Sequence, residues 1–236
     1  MDVSLELIVA LALTVLAIAA AAVYLRVFRR GSLRRSAVLL VGIANSGKTV
    51  LFQQLSRGQF ISTFTSVVPN SGTFALHGDK SATPALYKVV DIPGHDRIRH
   101  RVLDELATDA KGVVFVVDSA NLMSELRTMS QFLYDVLSHR SLAVPVRILC
   151  NKQDLLTAMD SDNVKSQLET ELNIIRKTRI AAPTSLDETN DTTTRELGNP
   201  DEPFNFEQLG SQVTFMEASG KDGSHLDALR DWIAQL

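Results

Sequence analysis

The chain has 236 residues, 45% of them hydrophobic, which allows one mid-sized domain with a full core and an additional segment. Its net charge of −3 argues against a general, charge-driven nucleic-acid binder, and we expect no direct DNA binding. The only cysteine, Cys150, has no partner for an intrachain disulfide. It lies in the apolar stretch VRILC, which indicates a buried, inert thiol.

The first predicted element is an uncharged apolar stretch, residues 7–25, with the sequence LIVALALTVLAIAAAAVYL. At about 1.5 Å per residue, a helix of this length crosses the hydrocarbon core of a membrane. We therefore predict a transmembrane helix at 7–25 and a short lumenal end at 1–6. A cleaved signal peptide is the alternative. In a signal peptide, however, positively charged residues usually precede the apolar core, whereas here the acidic residues Asp2 and Glu6 precede it. A buried core helix would show a polar stripe, which this stretch lacks.

A basic segment follows the apolar stretch. Residues 26–35 contain five arginines and no acidic residue. Positively charged flanks of a membrane span stay on the cytosolic side. We therefore predict a basic cytosolic linker at 26–35, with the rest of the chain in the cytosol. The arginines either serve this orientation alone or also contact anionic lipid headgroups.

The remaining residues, 36–236, alternate between predicted strands and predicted helices. Several strands are continuous apolar runs, as buried parallel strands are. The strands are predicted at 36–42, 72–78, 85–92, 112–119, 144–151 and 212–219, and the helices at 48–57, 97–109, 121–139, 162–180 and 224–235. This order predicts an α/β fold with a doubly wound, mostly parallel sheet. Ligands bind such sheets beyond the carboxyl ends of the strands.

Polar residues mark the helix starts and one irregular segment. We expect Asn121 to begin the third helix, and Ser161 or Asp162 to cap the fourth. The segment 182–206 is rich in Thr, Asp, Glu, Asn and Pro and has little to bury. It is therefore predicted to be a mobile surface insertion, with a partner-binding loop as the alternative.

The first motif, GIANSGKT at 42–49, matches the phosphate-binding pattern G-x-x-x-x-G-K-[ST] between a predicted strand and a predicted helix. Backbone N–H groups that hold a phosphate require tight turns with positive φ, which Gly42 and Gly47 tolerate. Lys48 can reach the β- and γ-phosphates, and the Thr49 hydroxyl can bind Mg²⁺. The candidate nucleotide-binding residues of this turn are Gly42, Asn45, Ser46, Gly47, Lys48, Thr49 and Val50.

The second motif, DIPGH at 91–95, ends a predicted apolar strand. Asp91 can hold Mg²⁺ through a water molecule. The Gly94 N–H can face a γ-phosphate, which would make this turn sensitive to the bound nucleotide.

The third and fourth motifs, NKQD at 151–154 and EASGK at 217–221, also follow predicted strands. Asp154 can accept both N–H groups on the guanine edge, and adenine lacks that pair of donors, so a carboxylate here selects guanine. Asn151 can brace the turn, the Lys152 stem can lie on the base plane, and Ser219 can orient Asp154. The backbone of Gly220 and Lys221 can reach the guanine carbonyl. The four motifs in this order predict binding of GTP or GDP.

With VGIANSGKT, FTSVVPNSG, DIPGHDRIR and NKQD, residues 36–236 resemble the small GTPase superfamily. Within its Arf-like branch they are most similar to the family of signal recognition particle receptor beta subunits. The resemblance implies a P-loop GTPase domain with GTP/GDP and Mg²⁺ as cofactors. It also implies a single-pass protein of the endoplasmic reticulum membrane that recruits the receptor's alpha subunit as a heterodimer for co-translational protein targeting. The ribosome and the translocon are further candidate partners.

The resemblance also assigns roles to two switch segments. In the segment 61–72, Thr65 or Ser66 would supply a hydroxyl to Mg²⁺. His95 replaces the glutamine that orients the attacking water in many small GTPases, so we expect slow or partner-dependent GTP hydrolysis, with His95 and Lys48 as candidate catalytic residues. Three arginines follow, either as partner contacts or as solvated residues: Arg97, Arg99 and Arg101.

Two alternatives to a regulatory GTPase follow from the same motifs. An Arf-like trafficking GTPase of another membrane is one, although Arf proteins cycle on and off membranes and a membrane span argues against cycling. The other is a structural anchor that holds GTP and seldom turns it over, an alternative that His95 supports.

Overall fold

A six-stranded sheet in the order β2-β3-β1-β4-β5-β6 occupies the centre of the fold. Its strands are β1 (Ala37–Val41), β2 (Asn70–Ala75), β3 (Leu86–Asp91), β4 (Ala110–Asp118), β5 (Val146–Asn151) and β6 (Val213–Glu217). The edge strand β2 is antiparallel to β3, and the other neighbouring strands are parallel. The structure, a computed structural model, describes residues 35–78, 84–181, 195–200 and 202–236.

Helices cover both faces of this sheet. Within the described ranges they are α1 (Lys48–Arg57), α2 (Asp96–Leu106), α3 (Leu122–Ser138), α4 (Ser161–Ala181) and α5 (Leu226–Gln235). One hydrophobic core contains apolar residues of α2, α3 and α4, and a second contains those of α1 and α5. The predicted α/β class and doubly wound, mostly parallel sheet are therefore confirmed, and each strand and helix predicted within 36–236 lies within a few residues of its observed position.

The central strand β1 shows why apolar runs form the middle of the sheet. All five of its residues are buried. Because successive strand side chains point to opposite faces, Leu39 packs into one core and Leu40 into the other. A strand covered on both faces therefore needs apolar residues at every position, rather than at alternate ones.

The strand register places polar residues together at the carboxyl ends of the parallel strands. Leu40 of β1 pairs with Asp91, the last residue of β3. Asp118, the last residue of β4, pairs with Asn151, the last residue of β5. The four motif turns therefore lie at one edge of the sheet, where doubly wound folds bind ligands.

The N-terminal predictions fall on another part of the chain. The predicted transmembrane helix at 7–25, the lumenal end at 1–6 and nearly all of the linker at 26–35 lie outside the described residues. Among the helices of the described ranges, none combines the length and apolar character needed to cross a membrane. The prediction for 7–25 rests on the sequence alone.

The prediction of a mobile surface insertion at 182–206 is wrong for the second part of that segment. Residues 182–194 lie outside the described ranges, but Leu197, Phe204 and Phe206 are each at most 3% exposed and belong to the core next to α4. These three apolar residues are separated by polar residues in the sequence. The prediction was made from the average composition of the segment, which is polar, and therefore missed them.

Two side chains of α4 hold this buried segment by its backbone. Asn173 accepts a hydrogen bond from the Phe204 N–H at 2.6 Å and donates one to the Phe204 carbonyl at 3.0 Å. The buried Arg176 guanidinium donates to the carbonyls of Asn199, at 2.6 Å, and Glu202. The buried Arg176 guanidinium and the backbone of the buried Phe204 thus have hydrogen-bond partners, as buried polar groups require.

The helix starts differ in detail from the prediction. Asn121 precedes α3, but its side chain donates to Asp118 at 3.0 Å and makes no capping bond to the helix. At α4 the capping side chain is Asp160, whose carboxylate accepts the Asn163 N–H at 2.8 Å. The predicted cap was one or two residues too late.

The single cysteine behaves as predicted. Cys150 is a free, fully buried thiol in β5. Burial raises its pKa to about 12, so the thiol stays protonated and unreactive at neutral pH.

Candidate functional site

The turn between β1 and α1 has the backbone shape of a phosphate cradle. Gly42, Asn45 and Gly47 have positive φ angles of 150°, 62° and 96°. A Cβ atom on Gly47 would lie 2.3 Å from the side-chain nitrogen of Asn151, so no other residue fits this position unless its neighbours move. The glycine predicted from the motif is therefore required by both conformation and packing.

The helix that follows presents an uncapped N-terminus to this turn. α1 begins at Lys48, and its N-cap residue, Gly47, has no side chain with which to cap the first turn. The first N–H groups of a helix have no acceptor within the helix and lie at the positive end of its dipole. Together with the turn, they form a site suited to a phosphate group.

The Lys48 ammonium group lies over the same turn. Its Nζ donates to the Ile43 carbonyl at 2.7 Å and lies 3.4 Å from the Ser46 hydroxyl. Burial lowers its pKa from 10.5 to about 8, an effect that nearby Asp91 opposes and Arg99 reinforces. A buried cation among carbonyl and hydroxyl oxygens is prepared to pair with an anionic ligand.

A carboxylate and two hydroxyl groups meet at the start of α1. The Thr49 hydroxyl donates to Oδ2 of Asp91 at 2.7 Å, and the Ser66 hydroxyl lies 3.1 Å from that of Thr49. Asp91 is fully buried, and its other oxygen, Oδ1, has no hydrogen-bond partner among the described residues. Carboxylate and hydroxyl oxygens suit Mg²⁺, and a cation or its water would satisfy Oδ1. These residues therefore fit the predicted metal.

The two candidate switch hydroxyls lie at different places. Ser66 contacts Thr49 at the metal end, whereas the Thr65 hydroxyl lies 3.5 Å from Oδ1 of Asn45 in the phosphate turn. Both contacts join the segment 61–72 to the phosphate turn or the helix after it. Ser66 is the one that the structure places beside the candidate metal ligands.

The base end of the site is built around Asp154. The Ser219 hydroxyl donates to its Oδ1 at 2.8 Å, and the Lys221 ammonium lies 3.5 Å from its Oδ2. Ser219 also accepts the backbone N–H of Lys221 at 3.1 Å, which fixes the shape of the turn. The predicted orienting contact between Ser219 and Asp154 is present.

Asn151 connects the phosphate end to the base end. Its side-chain nitrogen donates to the Ser46 carbonyl at 2.8 Å, and its side-chain oxygen accepts the Gly220 N–H at 2.9 Å. The side chain is 2% exposed. One amide thus holds two loops that are far apart in the sequence, which goes beyond the local bracing role predicted for it.

Asp118 is a member of the site that the sequence analysis missed. It ends β4, and its carboxylate accepts a hydrogen bond from the Lys152 ammonium at 2.6 Å. Although burial alone would raise the pKa of Asp118, hydrogen bonds from Lys152 and Asn121 hold it below its ordinary value. The bond fixes the Lys152 stem beside the base end. An acidic residue closing an apolar strand, as at Asp91, was the signal available in the sequence.

Two cavities share Gly47 in their walls, one at the phosphate and metal end and the other at the base end. The cavity at the phosphate and metal end is lined by Ala44, Asn45, Gly47, Lys48, Thr49, Thr63, Phe64, Thr65, Ser66, Asp91, Ile92, Pro93 and Gly94. The cavity at the base end is lined by Gly47, Val50, Phe60, Asn151, Lys152, Asp154, Leu155, Gly220 and Lys221. Phe60 and Leu155 line the base-end cavity although neither belongs to a motif.

The second switch segment lies against the phosphate turn. A Cβ atom on Gly94 would come within 2.4 Å of the Ala44 backbone nitrogen, so only glycine permits this approach. The next residue, His95, is exposed, and its Nδ1 accepts the Arg97 N–H at 3.3 Å as the N-cap of α2. Its ring shares a cavity with Asn45 and Arg99. The water-orienting role of His95 stays a prediction.

The interpretation of all three switch arginines as partner contacts or solvated residues is wrong for Arg99. Arg99 is 6% exposed, pairs with Asp96 and lies 4.6 Å from the centre of the Phe132 ring. Arg97 and Arg101 are exposed. The helical period places Arg99 on the face of α2 that packs against α3, which a run of alternating arginines does not reveal.

Comparisons with known proteins agree with this geometry. A model of the family described as signal recognition particle receptor beta subunit matches residues 33–213. The signal recognition particle receptor subunit beta of Mus musculus is 38% identical over 210 residues, 85% of this chain and 76% of that protein.

The fold is similar to that of two solved structures. A structure of the mammalian signal recognition particle receptor has a TM-score of 0.71 at 35% identity, covering 84% of this chain and 98% of that one. The receptor's SRb subunit from Chaetomium thermophilum, in a complex described as SRb-GTP/SRX, has a TM-score of 0.66 at 26% identity, covering 84% and 99%. Both likenesses confirm the predicted GTPase fold.

Proposed function

Because the chain belongs to the family of signal recognition particle receptor beta subunits, the GTPase subunits of that receptor, we propose that it is a membrane-anchored GTP-binding subunit. It recruits the receptor's alpha subunit at the endoplasmic reticulum membrane for co-translational protein targeting. GTP or GDP with Mg²⁺ occupies the two adjoining cavities. The predicted span at 7–25 supplies the anchor, and the nucleotide domain faces the cytosol.

One observation supports nucleotide binding most strongly, namely the bridge that Asn151 makes between Ser46 of the phosphate turn and Gly220 of the base-end turn. The proposal is also supported by the two adjoining cavities, because Lys48 lines the one at the phosphate end and Asp154 lines the one at the base end. Lys48 and the first turn of α1 bind the phosphates, Thr49 and Asp91 hold the metal, and Asp154 accepts from the guanine edge. Mg²⁺ supplies charge neutralisation at the phosphates.

Nucleotide binding is tested directly on the purified full chain in detergent. GTP and GDP should bind in the presence of Mg²⁺, whereas ATP at equal concentration should not compete, because adenine leaves the Asp154 carboxylate unpaired. Titration with fluorescent guanine nucleotides measures both affinities. Absence of binding to GTP and GDP by folded protein would refute the proposed function.

Recruitment of the alpha subunit is tested by capture of that subunit on the immobilised full chain loaded with GTP or with GDP. Recovery should be greater with GTP, because the segments 61–72 and 91–95 line the phosphate cavity and respond to the nucleotide. Lys48→Ala, which lacks the phosphate-binding ammonium, is the control. Equal recovery in both nucleotide states would count against switching.

Membrane anchoring is tested by expressing the full chain and a version that starts at residue 36. The full chain should stay with endoplasmic reticulum membranes after alkaline extraction, and the shortened chain should be released. Removal of both chains by extraction would show that 7–25 is not a span.

A GTP-loaded structural anchor with little turnover is the second candidate, favoured by the position of His95. Because Nδ1 already accepts the Arg97 N–H, only Nε2 of the ring is left to contact a water molecule. Single-turnover hydrolysis with and without the alpha subunit separates the two candidates. A rate that stays negligible in both cases favours the anchor.

A further inference from the structure

Four side chains at the candidate metal end form a closed ring of hydrogen bonds. Besides the contacts of Thr49 with Asp91 and Ser66, the ring contains Asn70, the first residue of β2. The Asn70 side-chain nitrogen donates to the Ser66 hydroxyl at 3.0 Å and to Oδ2 of Asp91 at 3.1 Å. Asn70 lies in the stretch FTSVVPNSG, but the sequence analysis gave it no role.

Counting protons fixes the direction of every bond in this ring. An amide nitrogen has two N–H donors, and Asn70 directs one to each partner. The only proton of the Thr49 hydroxyl goes to Asp91, so in the contact between Ser66 and Thr49 the donor is Ser66. Ser66 accepts from Asn70 in turn. Asn70 is therefore the only member that donates to both Ser66 and Asp91.

The bond from Asn70 also determines which oxygen of Asp91 remains for other partners. Oδ2 accepts from both Thr49 and Asn70, while Oδ1 is buried without a partner among the described residues. The strand register supports this arrangement, because Asn70 is paired with Asp91 across β2 and β3. The carboxylate is thus oriented from the edge strand.

We propose that Asn70 is a positioning residue for the Mg²⁺–nucleotide site. By holding Oδ2 of Asp91 and the Ser66 hydroxyl together, it leaves Oδ1 as the carboxylate oxygen that would face the metal site, and it fastens Ser66, four residues earlier in the same segment, to the metal end. The inference rests on the proposed function, because it requires that the chain bind nucleotide with Mg²⁺. It adds a residue outside the four motifs that sets how strongly the metal retains the nucleotide.

The test compares the full chain with Asn70→Ala and with Ser71→Ala as a matched control. Ser71 is the next residue of the same edge strand, exposed on the opposite face of β2. Dissociation of a fluorescent guanine nucleotide is measured over Mg²⁺ concentrations from chelated to millimolar. Thermal unfolding of each variant confirms that the strand is intact, which we expect because Asn70 is itself exposed.

Asn70→Ala should raise the Mg²⁺ concentration for half-maximal retention by about tenfold, an effect of about 1.4 kcal/mol. Dissociation without Mg²⁺ should be unchanged, and Ser71→Ala should match the original chain. Equal Mg²⁺ dependence in Asn70→Ala and Ser71→Ala would overturn the inference, as would an acceleration of the same size with and without Mg²⁺. Failure of the original chain to bind nucleotide would instead refute the proposed function.

Discussion

At the scale of single residues, Asp154 determines the base selectivity that we expect of the site. Replacing it with Asn puts an N–H group where a carboxylate oxygen accepted, so the guanine edge loses a charge-assisted bond. We predict that Asp154→Asn lowers GTP affinity by about a hundredfold, which is about 3 kcal/mol, and raises the affinity for xanthosine triphosphate. Competition binding measures both. Asp227→Asn, at an exposed carboxylate, is the control, and unchanged preference in Asp154→Asn would mean that the base site is assigned wrongly.

Lys48 lowers the stability of the nucleotide-free protein because its ammonium is buried. Its folded-state pKa, about 8, lies below the ordinary value of 10.5. Between these values the unfolded chain binds the proton that the folded chain has released, so the free energy of unfolding rises with pH from about 8 to 10.5. Lys48→Met should therefore stabilise the nucleotide-free protein at pH 7 by about 1–3 kcal/mol and remove this rise.

The Lys48 prediction is measured by unfolding the nucleotide-free full chain at pH 7 and pH 10. Trp232 is the only tryptophan and packs against one of the two cores, so its fluorescence reports on the domain. The difference between the variant and the original should shrink at pH 10. A variant that is less stable than the original at pH 7 would contradict the prediction.

At the scale of elements, the strands and helices could be predicted because their patterns have local causes. A strand covered on both faces, such as β1, has no room for a polar side chain, and the sequence shows this directly. Contacts between residues that are far apart in the sequence produce no local pattern of this kind. The burial of Arg99 depends on Phe132, and the burial of Phe204 depends on α4, neither of which lies nearby in the sequence.

The packing of Phe204 against the α4 side of the core predicts a large stability effect. Phe204 is 2% exposed, and its ring lies 5.3 Å from that of Phe206. Phe204→Ala should lower the free energy of unfolding by about 3–4 kcal/mol through lost burial and a cavity. Ile174 lies on α4, the helix against which Phe204 packs, but it is 49% exposed. Ile174→Ala should therefore lower the free energy of unfolding by less than about 1 kcal/mol. Similar losses in both variants, measured by urea unfolding, would argue against this packing.

At the scale of the whole molecule, the proposed nucleotide contacts four loops and the helix after the first of them, so its binding should stabilise the entire domain. Nucleotide at a thousand times its dissociation constant adds about 4 kcal/mol to the native state. For a domain of this size, that corresponds to an increase in Tm of about 10 °C. We predict this increase for GTP with Mg²⁺, a smaller one when Mg²⁺ is chelated, and none for ATP. An equal increase with ATP in a thermal scan would contradict guanine selection.

The residues of the site were predictable from the sequence where a motif has fixed spacing. The turns at 42–49 and 151–154 have such spacing, and the structure brings both to one edge of the sheet. Asp118, Phe60 and Asn70 come from a strand end, a loop and an edge strand that no spacing rule connects. The sheet register brings Asp118 and Asn70 beside motif residues, and Phe60 is recognised only as part of the base-end cavity wall.

The Asn151 bridge also has a mechanical consequence. Because the same amide is bonded to the Ser46 carbonyl and to the Gly220 N–H, a displacement of either loop pulls on the other. A protein that binds only the turn at 217–221 and displaces it should therefore also displace the phosphate-binding turn, through Asn151. Under the proposed function, a partner bound at the base end would thereby loosen the phosphate end of the nucleotide site without touching it.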